Sequence, residues 1–174
     1  MPNNSVKNNI VLVGFMGAGK TTIGKLLAKS LGFSFIDADE EIEKAEGVSI
    51  AQIFEKKGEE YFRELESNFI KHFHLSKCII ASGGGMPCHQ DNMAKLKVLG
   101  TVLFINTSYD SIIERLKLNQ DSRPLLKLRL RNEKDELLSL FLNRQQIYKS
   151  ADKEILGDNN PIYIVEEILK IVRD

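Results

Sequence analysis

The chain reads as a single α/β domain with a mostly parallel sheet, and three observations predict it. Short β-branched runs alternate with longer segments of helical period, which is the pattern of βαβ units. The glycine-rich stretch GFMGAGKT at residues 14–21 joins an apolar run directly to a periodic segment, a strand-to-helix turn. The length of 174 residues suits one buried core and is short for two, and the sequence shows neither an internal repeat nor a linker.

Taken in order, strands are expected at residues 10–13, 33–37, 78–81, 101–106 and 153–156. The first helix spans 22–31. Ser49 and Gln52 have the S-x-x-Q form of a capping box, so a helix starts there and runs until Gly58 interrupts it. A second helix follows to residue 74, with Phe62, Leu65, Phe69, Ile70 and Phe73 recurring at helical spacing as a core face. Later helices are read at 92–99, 109–117, 133–150 and 161–172, the last with Asn160 as N-cap and Pro161 at its first position. Residues 119–131, NQDSRPLLKLRLR, follow neither period. They read as a mobile basic loop, either a solvated connection or a lid.

Composition narrows the function. Lys plus Arg equals Asp plus Glu at 24 each, so no global field attracts nucleic acid or an anionic membrane. Apolar runs are strand-sized and the opening MPNNSVKNN lacks a signal-peptide core, so a cytoplasmic protein without a membrane span is expected. Two cysteines, Cys78 and Cys88, make no disulfide framework, and Cys88-His89 alone has no metal-ligand spacing.

The chemistry starts at G-x-x-x-x-G-K-T. Glycines let backbone N–H groups approach a polyphosphate, and the following helix adds unpaired N–H groups and a partial positive charge. Gly17, Ala18, Gly19, Lys20, Thr21 and Thr22 are the nucleotide-binding candidates; Lys20 reaches the β- and γ-phosphates and Thr21 offers its hydroxyl to Mg²⁺. Asp37 and Asp39 close the second strand at the edge where open α/β sheets bind ligands. Side-chain alternation would turn both to one cleft if the strand continued, one for the metal and one for a hydroxyl; otherwise Asp39 caps a helix starting at Glu40. The third strand ends in Ser82-Gly83-Gly84-Gly85 without the usual metal-binding aspartate, and Asp37 is its natural substitute. Three glycines in a row point to a ligand pressed on bare backbone, or to a tight turn into Met86-Pro87. Arg63 and Glu66 share a helix face and by spacing alone are an ion pair contributing about 0.2–0.5 kcal/mol. Arg144 and Tyr148 stand one turn apart on a later helix.

With these motifs in this order, together with Arg123-Pro124-Leu125-Leu126, the chain from residue 10 to residue 172 resembles the shikimate kinases. The resemblance implies a P-loop nucleoside-monophosphate-kinase-like three-layer fold, a five-stranded parallel sheet in the order 2-3-1-4-5 flanked by helices. It places a substrate-binding helical region at 38–75 and a lid at 117–131 within one kinase domain, 1–174. It implies transfer of the ATP γ-phosphoryl group to the 3-hydroxyl of shikimate, with Mg²⁺ as cofactor, in a monomer that binds ATP and shikimate. By the same resemblance Lys20, Asp39 and Arg123 are catalytic, and Arg123 also binds ATP from the lid. Asp39, Arg63, Glu66, Gly84, Gly85 and Arg144 hold the substrate, with Phe54 and Phe62 as its apolar wall, while Thr21 and Asp37 serve the metal. Arg63 and Arg144 match two arginines that clamp a carboxylate, a task suited to guanidinium forks. Either Arg115 or Lys117 is the cation over adenine. A related small-molecule kinase acting on gluconate is the nearest rival, disfavoured by the paired arginines and the triple glycine.

Overall fold

The computed structural model describes residues 9–118 and 134–173. Five parallel strands form one sheet in the order β2-β3-β1-β4-β5: β1 Ile10–Val13, β2 Ser34–Asp37, β3 Cys78–Ala81, β4 Thr101–Asn106 and β5 Lys153–Leu156. Each strand stands where the sequence places it, except that β2 starts one residue late. Gly32 adopts φ 67 and ends the preceding helix, and Phe33 spends its N–H on Ala28 O rather than on the sheet.

Alternation along the strands divides the core between two faces. Ile10, Leu12, Ile79, Leu103 and Ile105 meet helix α1 (Lys20–Leu31) and the last helix, α7 (Pro161–Arg173). Val11, Val13, Ile80, Val102 and Phe104 meet α3 (Ile50–His72), α4 (Asn92–Leu99), α5 (Tyr109–Leu118) and α6 (Lys134–Tyr148) on the other face. Strands β1, β3 and β4 are therefore apolar on both faces, as a parallel sheet between two helical layers requires.

Two local devices aim the elements that matter for function. Gly19, at φ 96, is the N-cap of α1, so the helix opens at Lys20 and not at residue 22. The Ser49–Gln52 capping box starts α3, and Gly58, at φ 82 and ψ 173, breaks that helix into two segments. The second segment carries Phe62, Arg63 and Glu66. Asn160 caps α7 as the sequence predicts, its Oδ1 accepting from Ile162 N. Among the described residues no helix is long and apolar enough to cross a membrane. The predicted lid at 117–131, apart from Lys117 and Leu118, and Arg123 within it, lie outside the described residues.

Candidate active site

Because β1 pairs with β3 and β3 with β2, the carboxyl ends of these three strands lie side by side. Gly14, Asp37 and Ser82 follow or close those ends, which gathers distant parts of the chain into one cleft. The loop after β1 folds back on itself: Gly17 takes φ 79, and Ala18 N donates to Phe15 O at 3.1 Å. Lys20 Nζ donates to Gly14 O at 2.7 Å and Phe15 O at 3.0 Å, so its ammonium is held across the mouth of this loop. Gly17, Ala18, Gly19, Lys20, Thr21 and Thr22 thus form one continuous turn from loop to helix.

Thr21 Oγ1 donates to Asp37 Oδ2 at 3.1 Å, bringing the two predicted metal residues together. A single hydroxyl and a single carboxylate do not make an all-protein cage, and no cluster of three or more metal-binding side chains occurs among the described residues. That sparse donor set suits Mg²⁺, which keeps waters and takes its remaining ligands from phosphates. The aspartates do not alternate along an extended strand, as the sequence suggested. Asp37 is itself the N-cap of α2 (Ala38–Glu46), its Oδ1 accepting from Asp39 N at 3.1 Å, so Asp39 lies in the first helical turn and is not the cap. The cap turns Asp39 toward the β3 end, where an added Cβ on Gly83 would fall 2.6 Å from Asp39 Oδ1 and 3.1 Å from Glu66 Oε1.

The triple glycine is explained by what presses on it. A Cβ on Gly85 would strike the Arg63 guanidinium, and one on Gly84 would come within 3.4 Å of Arg144 NH1. The bare backbone therefore admits the site's own charged side chains, bringing two guanidinium groups to adjacent glycines. Tyr148 is fully buried, and its hydroxyl donates to Gly84 O at 2.6 Å, tying α6 to this turn. Arg144, one turn earlier on α6, has its guanidinium carbon 5.7 Å from the centre of the Phe15 ring. Phe54 and Phe62 pack with ring centres 5.0 Å apart at a 44° tilt, and the Arg63 guanidinium carbon lies 5.5 Å from the Phe62 ring.

Glu66 is completely buried, and its Oε2 accepts from Arg63 NH1 at 2.7 Å. Its Oε1 finds no hydrogen-bond partner among the described residues. Burial pushes this carboxyl up to about 7; Arg63 and Arg144 pull it down, and neighbouring Asp39 adds to the rise. Burial likewise pushes the Cys88 thiol and the Tyr148 hydroxyl up, so neither is ionised near neutral pH.

Three sets of contacts, made by Arg115, Asp158 and Glu59, were not read from the sequence. Arg115 donates to Gly17 O and Ala18 O at 3.4 and 3.2 Å and to Gly157 O at 2.9 Å, bracing the phosphate loop against the loop before α7. Asp158 in that loop accepts from Ser108 N, and Glu59 accepts from Arg63. The Glu59–Arg63 pair has helical i,i+4 spacing that sequence reading could have found; the Arg115 contacts reach partners 42 to 98 residues away and carried no local signal.

A family model described as shikimate kinase matches residues 16–173. The chain is 48% identical over 167 residues to the shikimate kinase of Persephonella marina, covering 95% of this chain and 99% of that one. To the Aquifex aeolicus shikimate kinase it is 44% identical over 161 residues, covering 92% and 93%. Among solved structures, a shikimate kinase from Acinetobacter baumannii in complex with shikimate superposes with a TM-score of 0.86 at 34% identity, covering 97% of this chain and 93% of that one. A gluconokinase from Sinorhizobium meliloti, at 17% identity and a TM-score of 0.60, shares the fold. A glycine-rich loop closing on Lys20, a Thr21–Asp37 hydrogen bond and two guanidinium groups on a glycine turn thus stand in a chain that belongs to the shikimate kinase family.

Proposed function

We propose that this chain transfers the γ-phosphoryl group of ATP to the 3-hydroxyl of shikimate, giving shikimate 3-phosphate and ADP on the route to chorismate and the aromatic amino acids. The observation that carries the reading is the placement of Arg63 and Arg144, from two different helices, against Gly85 and Gly84. Two guanidinium groups converging on bare backbone form a receptor for one carboxylate. Asp39 lies beside that receptor, suited to accept a hydrogen bond from a ring hydroxyl, and Phe54 with Phe62 covers the apolar side of the ring.

The phosphate loop supplies the donor side. Loop N–H groups and the start of α1 hold the phosphates, and Lys20 exchanges its two carbonyl partners for phosphate oxygens. Thr21 and Asp37 would hold Mg²⁺, which would supply positive charge to offset that of the phosphates. Little covalent work is left to the protein, so acceleration comes from positioning and charge stabilisation by Lys20 and, from the lid, Arg123. Asp39 orients the acceptor hydroxyl; in a loose transition state proton loss comes late, so orientation is its main task.

The test is the structure of the product. Phosphorus–proton correlation in the NMR spectrum of the reaction with ATP, Mg²⁺ and shikimate should couple the new phosphorus to the proton on ring carbon 3. Coupling to another ring carbon would overturn the assignment of Asp39 to that hydroxyl.

A further inference from the structure

Arg63 is gripped from two directions. Glu66 Oε2, fully buried, accepts from NH1 at 2.7 Å, while Glu59 Oε1 accepts from NH2 at 2.8 Å and from Nε at 3.3 Å. A guanidinium carries five N–H donors. These bonds take three of them and leave one on each terminal nitrogen. Two donors on neighbouring nitrogens are the pair a carboxylate takes in a bidentate bond. Glu66 anchors one terminal nitrogen while Gly85 and the Phe62 ring bound the guanidinium on its sides, and a second acceptor on the Nε edge adds a restraint on rotation of the plane about the Glu66 contact.

The backbone places Glu59 for this task. Gly58, at φ 82, breaks α3, so Glu59 opens the second helical segment and reaches forward one turn to Arg63. Glutamate N-terminal to arginine at this spacing is the favourable orientation, and the segment's first turn favours a negative charge.

We propose that Glu59 is a positioning residue for the carboxylate clamp, fixing the rotation of the Arg63 guanidinium so that its two remaining donors face the acceptor's carboxylate together. The inference rests on the function proposed above, in which Arg63 binds that carboxylate. Glu59 has 64% of its side chain exposed, so its replacement disturbs no core.

The experiment compares Glu59→Ala, Glu59→Gln and Arg63→Ala in the full chain, measuring KM for shikimate, KM for ATP and kcat. Glu59→Ala should raise KM for shikimate about three- to tenfold through lost orientation, with KM for ATP and kcat within about twofold of the parent. Glu59→Gln should restore the parent KM for shikimate, because its amide oxygen accepts the same two N–H groups. An unchanged KM in Glu59→Ala would make the contact an ordinary surface pair, and a lowered KM would make Glu59 a competitor for Arg63; either overturns the proposal. Equal losses in the alanine and glutamine variants would overturn it too, since charge and not orientation would then matter. Arg63→Ala separates the two levels: a large rise in its KM for shikimate with none in Glu59→Ala refutes only the role of Glu59. An unchanged KM in Arg63→Ala refutes the clamp itself.

Discussion

Gly85→Ala separates the needs of the fold from those of the site. Gly85 has φ −84 and ψ −22, a conformation any residue adopts, so alanine costs the backbone nothing there. Its methyl, however, would lie 2.6 Å from Arg63 NH2 and 2.7 Å from Cζ, where ordinary contact begins near 3.4 Å. The guanidinium must therefore retreat by roughly 1 Å, a misplacement of the size that costs up to about a hundredfold in a positioned site. The obstructing atoms end a flexible side chain, so the fold yields cheaply. Replacing glycine also gains about 0.4–1 kcal/mol from the unfolded chain. Tm should stay within about 3 °C of the parent, while KM for shikimate rises about 10- to 100-fold and KM for ATP is unchanged. Thermal unfolding followed by initial-rate kinetics with each substrate varied measures both. An unchanged KM for shikimate, or a large fall in Tm without a change in KM, would refute the reasoning that Gly85 is bare to seat Arg63.

The remaining predictions concern charge. Glu66 holds its proton up to about 7 in the folded protein, above the usual glutamate value of 4.5, so the folded state binds more protons between these limits. Stability from this group is fully present below about 4.5, falls as pH rises and is gone above about 7. Compared with Glu66→Gln, the parent should lose relative Tm between pH 5 and 7 and hold a constant difference above pH 8; a difference independent of pH would show that the carboxyl is not perturbed. Arg115→Ala removes the brace between the phosphate loop and Gly157 and should weaken ADP binding about tenfold in calorimetric titration, roughly 1.4 kcal/mol, while shikimate binding is retained. Unchanged ADP affinity would show that the two loops hold their places without it.

The sequence made the sheet legible because β1, β3 and β4 are short apolar runs between helices of clear period. Glycines and caps punctuated it further, at Gly19, Ser49, Gly58 and Asn160. The donor half of the site was equally legible, since Gly14 to Thr21 is one contiguous stretch whose chemistry follows from its order. The acceptor half was not legible from spacing alone. By spacing alone Arg63 and Glu66 read as a surface pair and Asp39 as either a cleft carboxylate or a cap; the fold sets them against Gly83 and Gly85 and gives the cap to Asp37. Motif order carried these residues where periodicity did not. Arg115, whose partners lie 97 and 42 residues away at Ala18 and Gly157, shows the remaining limit, because local pattern holds no information on such contacts.

The clamp proposed at Arg63 and Arg144 would select a cyclic hydroxy-carboxylate to face the phosphate loop. The most direct measurement is ADP release from ATP and Mg²⁺ in parallel with shikimate, with gluconate and with no acceptor. Rapid release with shikimate, and background release in the other two, is the expected result. Release with gluconate but not with shikimate would contradict it.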